Sequence, residues 1–280
     1  GKTVSQIGSF QRQTKIRPED LSDGLDVDAL VKFSRFTQFA TDGKGTTPSD
    51  SLQAVRRALA KNDIYRVMDP EQDSPVVVLE YADNFKLELV PAFIDKTGKH
   101  DHGDIRIDCY IVPDNGGGWK PADYDYDAAI ISAVNQRTDV AGMLVPFIKI
   151  AKAYLRAAKV PLKSFHIEVL ATLTIPKAIG GWTQNNNTWG YNHLLAEFLS
   201  SAPALMMWST MLTSGLTMPV TLPGSFSPAT DSGLSASDTR RIVEFLKERG
   251  RVAWKICAMA DEGHAVAAWR EFFGEPFPAP

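Results

Sequence analysis

The period of the apolar residues changes along the chain. Up to about residue 113 they alternate with polar residues or stand in short blocks; from about residue 136 they recur at three-to-four spacing. Period two marks strands and period 3.6 marks amphipathic helices. Asp26-Val27-Asp28-Ala29-Leu30-Val31 predicts a strand with Asp26 and Asp28 on one face and Val27 on the other. Ile64 to Met68, Val76 to Tyr81, Phe85 to Val90 and Ile105 to Val112 are rich in β-branched and aromatic residues and predict further strands, with Asp83-Asn84 as a hairpin turn. Asp50 to Asn62 predicts a helix, with Leu52, Val55 and Leu59 on one face and Ser49 as its cap.

In the second half, Val140, Met143, Leu144, Phe147, Ile148, Ala151, Tyr154 and Leu155 form one long stripe, capped by Thr138 or Asp139 and ended by Pro161. A second helix is expected from near Leu162, and a third over Tyr191 to Leu199 that stops at Pro203. Pro219 to Gly233 reads as a loop. Ser235 to Asp238 fits a capping box, and the last helix ends near Phe273. Asn115-Gly116-Gly117-Gly118 is the clearest flexible stretch, which divides the chain into residues 1–115 and 116–280. The predicted class is α+β, with a mixed-sheet core followed by a helical lobe.

Composition narrows the classes. With 44% hydrophobic and 22% charged residues, the 280-residue chain has material for a sizeable core and is far from the disordered range. Thirty Lys and Arg against 33 Asp and Glu leave a net charge of -3, which disfavours a nucleic-acid binder that works by overall charge. Cys109 and Cys257 are the only cysteines, too few for a disulfide scaffold or a cysteine-rich zinc module. No apolar run reaches the roughly 18 residues of a spanning helix. The opening residues carry no signal-peptide pattern, and a cytoplasmic protein is expected. The chain starts at Gly1 rather than Met, as either a processed start or a sequence lacking its leader would.

Three features carry candidate chemistry. Gly8-Ser9 stands first, in Ile7-Gly8-Ser9-Phe10-Gln11-Arg12-Gln13-Thr14; the pair Asp26 and Asp28 follows; Glu88 comes third, within Leu87-Glu88-Leu89-Val90-Pro91-Ala92. Carboxylates at i and i+2 of a strand project side by side, roughly 6–7 Å apart. Like charges so placed repel unless a cation lies between them. Hard oxygen ligands suit Mg²⁺, and a third acid on a neighbouring strand would complete a two-metal site. A glycine before a serine lets backbone N–H groups approach phosphate oxygens, and the hydroxyl adds a donor. No single feature decides the matter: Gly224-Ser225-Phe226 repeats the tripeptide with no paired acids after it. Asp108, on a predicted strand, is a rival third acid; Glu88 is preferred for its Leu, Val and Pro surroundings.

The ordered set resembles the polymerase-β-type nucleotidyltransferases, and more closely the cGAS/DncV-like nucleotidyltransferases of bacterial anti-phage signalling. Leu25 to Val31, Leu87 to Phe93, Tyr110 to Asp114, Gly118-Trp119, Phe147 to Tyr154 and Leu162 to Glu168 carry the likeness beside Gly8 to Arg17, so it spans about residues 7 to 170. The resemblance implies a nucleotidyltransferase core packed on a helical lobe, with the active site in the cleft between them. It implies that Asp26, Asp28 and Glu88 hold two Mg²⁺ ions, with Mn²⁺ as a substitute, and that Glu88 helps deprotonate an attacking ribose hydroxyl. Ser9 would grip the donor triphosphate, Lys152 or Lys149 would neutralise phosphate charge, Ser164 would touch phosphate and Phe165 would stack on a base.

The implied activity condenses nucleoside triphosphates, ATP or GTP among them, into a cyclic di- or trinucleotide messenger with release of pyrophosphate. The implied partners are the nucleotides and a separate effector protein that senses the product; no DNA activator and no membrane are expected, and the protein would be a monomer. The alternatives are a nucleotidyltransferase that modifies RNA ends, a protein or a small molecule, and a nucleotide-binding sensor without turnover. Two departures stand out. Glu88 occupies a position where the family commonly has Asp, and only seven residues precede Gly8 where relatives carry a helix. No zinc-ligand spacing like that of the animal DNA sensor of the superfamily occurs.

Other polar residues have simpler readings. His100, Asp101, His102 and Asp104 read as a solvated turn in preference to a metal site. His166 is either a nucleotide contact or a satisfied helix histidine. Arg12, Lys15 and Arg17 form either a phosphate-facing cluster or a solvated basic loop. Trp182 and Trp189 read as packing in preference to base stacking. Arg240, Arg241, Lys247 and Arg249 read as one solvated helix face.

Overall fold

The computed structural model describes residues 4–17, 24–33, 47–73, 75–82, 84–102, 105–114, 116–184, 189–212, 222 and 235–274, without the side chains of 95–108, 184, 208–212 and 236. The chain divides into two compact units, one built on residues 1–130 and the other on residues 131–222 and 228–280.

The first unit is a mixed seven-stranded sheet. β1 (Val4–Gln6) leads into the short helix α1 (Gly8–Gln11), then β2 (Leu25–Phe33), α2 (Pro48–Leu59), α3 (Asp63–Val67), β3 (Glu71–Asp73), β4 (Val76–Glu80), the long β5 (Phe85–His102), β6 (Ile105–Pro113) and β7 (Trp119–Ala122). The strand order is β1-β2-β5-β4-β3, with β6 on β5 and β7 on β6. The first half of β5 pairs parallel to β2 and antiparallel to β4; its second half pairs with β6. Alternation gives each face a core. Ala29, Val77, Leu79 and Leu89 pack under Leu52 and Val55 of α2. Leu30, Val90, Ala92, Tyr110 and Val112 form the other core with Ile7 and Ala122. Asp26 and Asp28 share the face of Leu30, so that face is apolar at one end and acidic at the other.

Several expectations change. α2 starts earlier than predicted: Thr47, not Ser49, is the cap, in a reciprocal capping box with Asp50 and with Pro48 in the first turn. Residues 64 to 67, expected with Met68 as a strand, belong to helix α3, whose Asn62 cap accepts from the Ile64 N–H at 2.9 Å and whose C-cap is Met68. Ile64 and Val67 are exposed there, so no sheet face rewards their β-branched side chains and the cap decides. The glycine run is a hairpin turn between β6 and β7. The Asp114 carboxylate accepts from the N–H groups of Gly116 (2.8 Å) and Gly118 (2.7 Å), and the units divide later in the chain. Asn84 is the left-handed residue of the β4–β5 turn (φ 54°), whose backbone closes from the Tyr81 N–H to the Phe85 carbonyl; Asp83 lies outside the described residues.

A helix not foreseen, α4 (Tyr124–Gln136), runs across the division between the units. The second unit continues with α5 (Leu144–Ala157), α6 (Ser164–Gln184), α7 (Tyr191–Leu212), α8 (Ala236–Cys257) and α9 (Glu262–Phe273). α5 begins after the predicted caps Thr138 and Asp139. Ala141 and Gly142 take left-handed conformations that break the chain between α4 and α5, and the Asn135 side chain accepts from the Val145 N–H at 2.9 Å. α7 runs through Pro203, as α6 runs through Pro176. A proline inside a helix costs ~3 kcal/mol, and burial of neighbours such as Ala202, Leu199 and Met206 offsets it. The Ser235–Asp238 capping box of α8 and the end of α9 at Phe273 agree with expectation. The predicted loop at 219–233 lies outside the described residues except Leu222. Among the described residues, no helix is long and apolar enough to cross a membrane.

Candidate active site

β2 and β5 run side by side with Asp28 opposite Glu88 and Asp26 opposite Lys86. Facing positions on paired strands share a sheet face, so Asp26, Asp28 and Glu88 stand together at its acidic end. Asp28 and Glu88 lie within hydrogen-bond reach of each other. Burial holds both carboxyls above their ordinary range. For Glu88 the charges of Asp28 and Asp26 push further in the same direction; for Asp28 the cations Lys15 and Arg12 pull back against burial. Lys15 donates from Nζ to the Asp26 carbonyl oxygen at 3.0 Å.

The Gly8-Ser9 turn touches these acids directly. The Ile7 N–H donates to the Asp28 carbonyl at 2.9 Å, and the Thr14 N–H donates to the Ser9 carbonyl at 2.9 Å. Gly8 is left-handed (φ +70°), and a Cβ built on it would lie 2.1 Å from Asp28 Oδ2. Glycine is therefore required both by the backbone conformation and by the acid against it. Gly8→Ala is expected to cost about 1–2 kcal/mol for the left-handed backbone alone, to lower the melting temperature, and to displace the Asp28 carboxylate. Thermal unfolding and pyrophosphate release measured on the same preparation check it; wild-type values for both would contradict this geometry.

The remaining candidates fall as follows. Arg12 is buried rather than solvated, and its charge acts on Asp28 and Tyr124; Arg17 is exposed. The Tyr124 hydroxyl is pushed up to about 12, mainly by burial and then by the Asp28 charge. Asp108 lies on β6 beside Cys109, which faces Asp95 well beyond Glu88 along β5; its side chain, like those of His100, Asp101 and His102, lies outside the described ones. Lys149, Lys152, Ser164 and Phe165 lie on α5 and α6 of the second unit. Lys149 and Ser164 are exposed and Phe165 half-buried. Lys152 is buried in an ion pair with Glu168 at 2.6 Å. His166 is buried. Trp182 and Trp189 pack at 6.0 Å, in a cluster with His193 and Trp254. Arg249 departs from the expected solvated face: it donates to the Tyr154 hydroxyl at 2.7 Å and covers the Phe272 ring at 3.9 Å.

Sequence reasoning missed two residues of this region. Lys86 sits two positions before Glu88 on the same face, opposite Asp26, and pairs with Glu80 at 2.5 Å; the period-two rule that selected the acids would have selected it. Asp125, in the first turn of α4, bonds to α1 and had no signal, because α4 itself was not foreseen.

Among the described residues, no three His, Cys, Asp or Glu side chains already converge closely enough to ligate one ion. The donor chemistry nevertheless fits a hard divalent cation. The acids are carboxylates only, they crowd one face, and the charges of Asp26 and Asp28 push the Glu88 carboxyl up, a repulsion that a cation would relieve.

The fold is that of the cGAS/DncV-like nucleotidyltransferases. It superposes on the structure of CdnC from E. coli MS115-1 with ATP at a TM-score of 0.66, with 16% identity over 99% of this chain and 85% of that chain. It also superposes on DncV from Vibrio cholerae, a cyclic AMP-GMP synthase, at 0.61, with 12% identity over 97% of this chain and 68% of that one. Residues 2–110 match the model of the Second Messenger Oligonucleotide or Dinucleotide Synthetase domain family. A probable cyclic nucleotide synthase of Bacillus cereus (strain VD146) is 25% identical over 191 residues, which are 60% of this chain and 54% of that protein. The chain thus spans about half the length of that relative.

Proposed function

We propose that this chain is a nucleotidyltransferase that condenses nucleoside triphosphates into a cyclic di- or trinucleotide messenger and releases pyrophosphate. The observation that carries the reading is the pairing of Asp28 with Glu88 across two parallel strands, with Asp26 on the same face and Gly8 in contact with Asp28. The match of residues 2–110 to the second-messenger synthetase domain model supports the product class. Asp26, Asp28 and Glu88 would hold Mg²⁺ or Mn²⁺, which on binding supplies charge neutralisation at the triphosphate and lowers the pKa of the attacking hydroxyl. Ser9 and the backbone of its turn orient the donor phosphates. Glu88 accepts the proton of the attacking ribose hydroxyl. On the second unit, exposed Lys149 is the better phosphate contact than Lys152, whose charge Glu168 already takes up. Ser164 and Phe165 serve phosphate and base. A cytoplasmic enzyme acting through a separate effector protein, without a DNA activator, completes the proposal.

The test is mass spectrometry of products after incubation with mixed ribonucleoside triphosphates and Mg²⁺ or Mn²⁺. A phosphatase-resistant cyclic oligonucleotide is expected with no macromolecule added. Transfer only to added RNA or protein would overturn the proposal, as would tight nucleotide binding with no pyrophosphate under either metal.

A further inference from the structure

The Gly8-Ser9 turn continues into α1, four residues long and ending at Gln11. A helix that short has no stability of its own, so its position depends on what holds it. Backbone bonds fix both ends of the turn: Ile7 to Asp28 of β2, and Thr14 to Ser9. The last residue of α1 is held differently. Gln11 Nε2 donates to Asp125 Oδ1 at 2.6 Å. The other oxygen of the same carboxylate, Oδ2, accepts from the Tyr110 hydroxyl at 2.5 Å. Tyr110 is buried in the core beneath the sheet, and Asp125 belongs to the first turn of α4. One carboxylate thus clamps the phosphate turn, the sheet and α4 together.

We propose that Asp125 is a positioning residue for the donor triphosphate: it sets where Ser9 and the neighbouring N–H groups stand. The inference rests on the proposed nucleotidyl transfer. Gln11 lies two residues beyond Ser9, about 3 Å along the helix axis, so a shift of the clamped end is felt at the hydroxyl. Charge-assisted bonds to a carboxylate are the stronger kind, and the tie runs through side chains, so substitution can cut it while leaving the backbone bonds in place. α4 is also the helix that crosses the division between the two units.

The experiment measures KM for each ribonucleoside triphosphate, and kcat, by pyrophosphate release with Mg²⁺. Asp125→Ala is expected to raise KM about tenfold while kcat stays within about threefold. Gln11→Glu places two carboxylates against each other and is expected to raise KM by at least as much. Asp125→Asn keeps both contacts once the Gln11 amide turns over, and stays near wild type. The double variant Gln11→Glu with Asp125→Asn restores an amide–carboxylate pair and is expected to recover most of the lost KM. That recovery is the readout a merely structural role would not move. An unchanged KM in Asp125→Ala overturns the inference. If Asp125→Ala does not fold, a double variant no better than Gln11→Glu alone overturns it as well. Wild-type protein that releases no pyrophosphate overturns the nucleotidyl-transfer reading itself, and this inference with it.

Discussion

Asp28→Ala is expected to cut pyrophosphate release by at least about 10³-fold, equal to ~4 kcal/mol of transition-state stabilisation, with Asp26→Ala close behind. Asp28 is the acid against which Gly8 packs and opposite which Glu88 stands; removing it leaves Glu88 without its partner and the turn without its neighbour. The isosteric Asp28→Asn separates chemistry from folding. Burial holds Asp28 and Glu88 above the ordinary carboxylate range, and for Glu88 the neighbouring acids add to it. The folded protein therefore keeps protons that the unfolded chain has released. The contribution of these two carboxyls to metal-free stability is therefore most favourable below the ordinary carboxylate range and declines as pH rises through the raised one. At neutral pH the asparagine variant loses one of the repelling charges, and its melting temperature without metal is expected to rise by roughly 2–4 °C, about 1 kcal/mol for a chain of this size. Mg²⁺ should raise the melting temperature of the wild type and leave that of the variant unchanged. An active Asp28→Asn enzyme, or a variant less stable than wild type at neutral pH without metal, would sink the assignment.

The acids were legible in the chain because a strand period of two puts Asp26 and Asp28 on one face whatever the strand pairs with. That Glu88 stands opposite Asp28 was not, because register between strands some sixty residues apart is set by tertiary packing; the choice of Glu88 as third acid came from the resemblance. Local rules failed where tertiary context removed their premise. Ile64 and Val67 look like strand residues yet find no sheet face. Pro203 looks like a helix end yet sits among buried neighbours that keep α7 going. Asn135 caps α5 from ten residues upstream, beyond the reach of any capping motif. The same holds for Lys152. Its place on an apolar helix stripe was visible, whereas its partner sixteen residues on, across the α5–α6 turn, was not.

That partner changes what Lys152 is expected to do. Lys152 and Glu168 are 3% and 0% exposed and bonded at 2.6 Å, so each helps compensate the other for leaving water. Lys152→Met leaves the Glu168 carboxylate buried without its cation, which costs about 3–5 kcal/mol and is expected to lower the melting temperature by roughly 10 °C. Replacing both, with Lys152→Met and Glu168→Leu, removes the stranded charge and is expected to recover most of that loss, because well-packed apolar residues often match a buried pair. Lys149→Ala, by contrast, removes an exposed charge; it is expected to leave the melting temperature within about 1 °C and to raise KM for the triphosphate. Melting curves and steady-state kinetics on the three variants decide between the two lysines. A stable, active double variant assigns Lys152 to the fold. A stable double variant whose KM rises as far as that of Lys149→Ala would return Lys152 to the phosphates and make its pairing with Glu168 one that substrate must break.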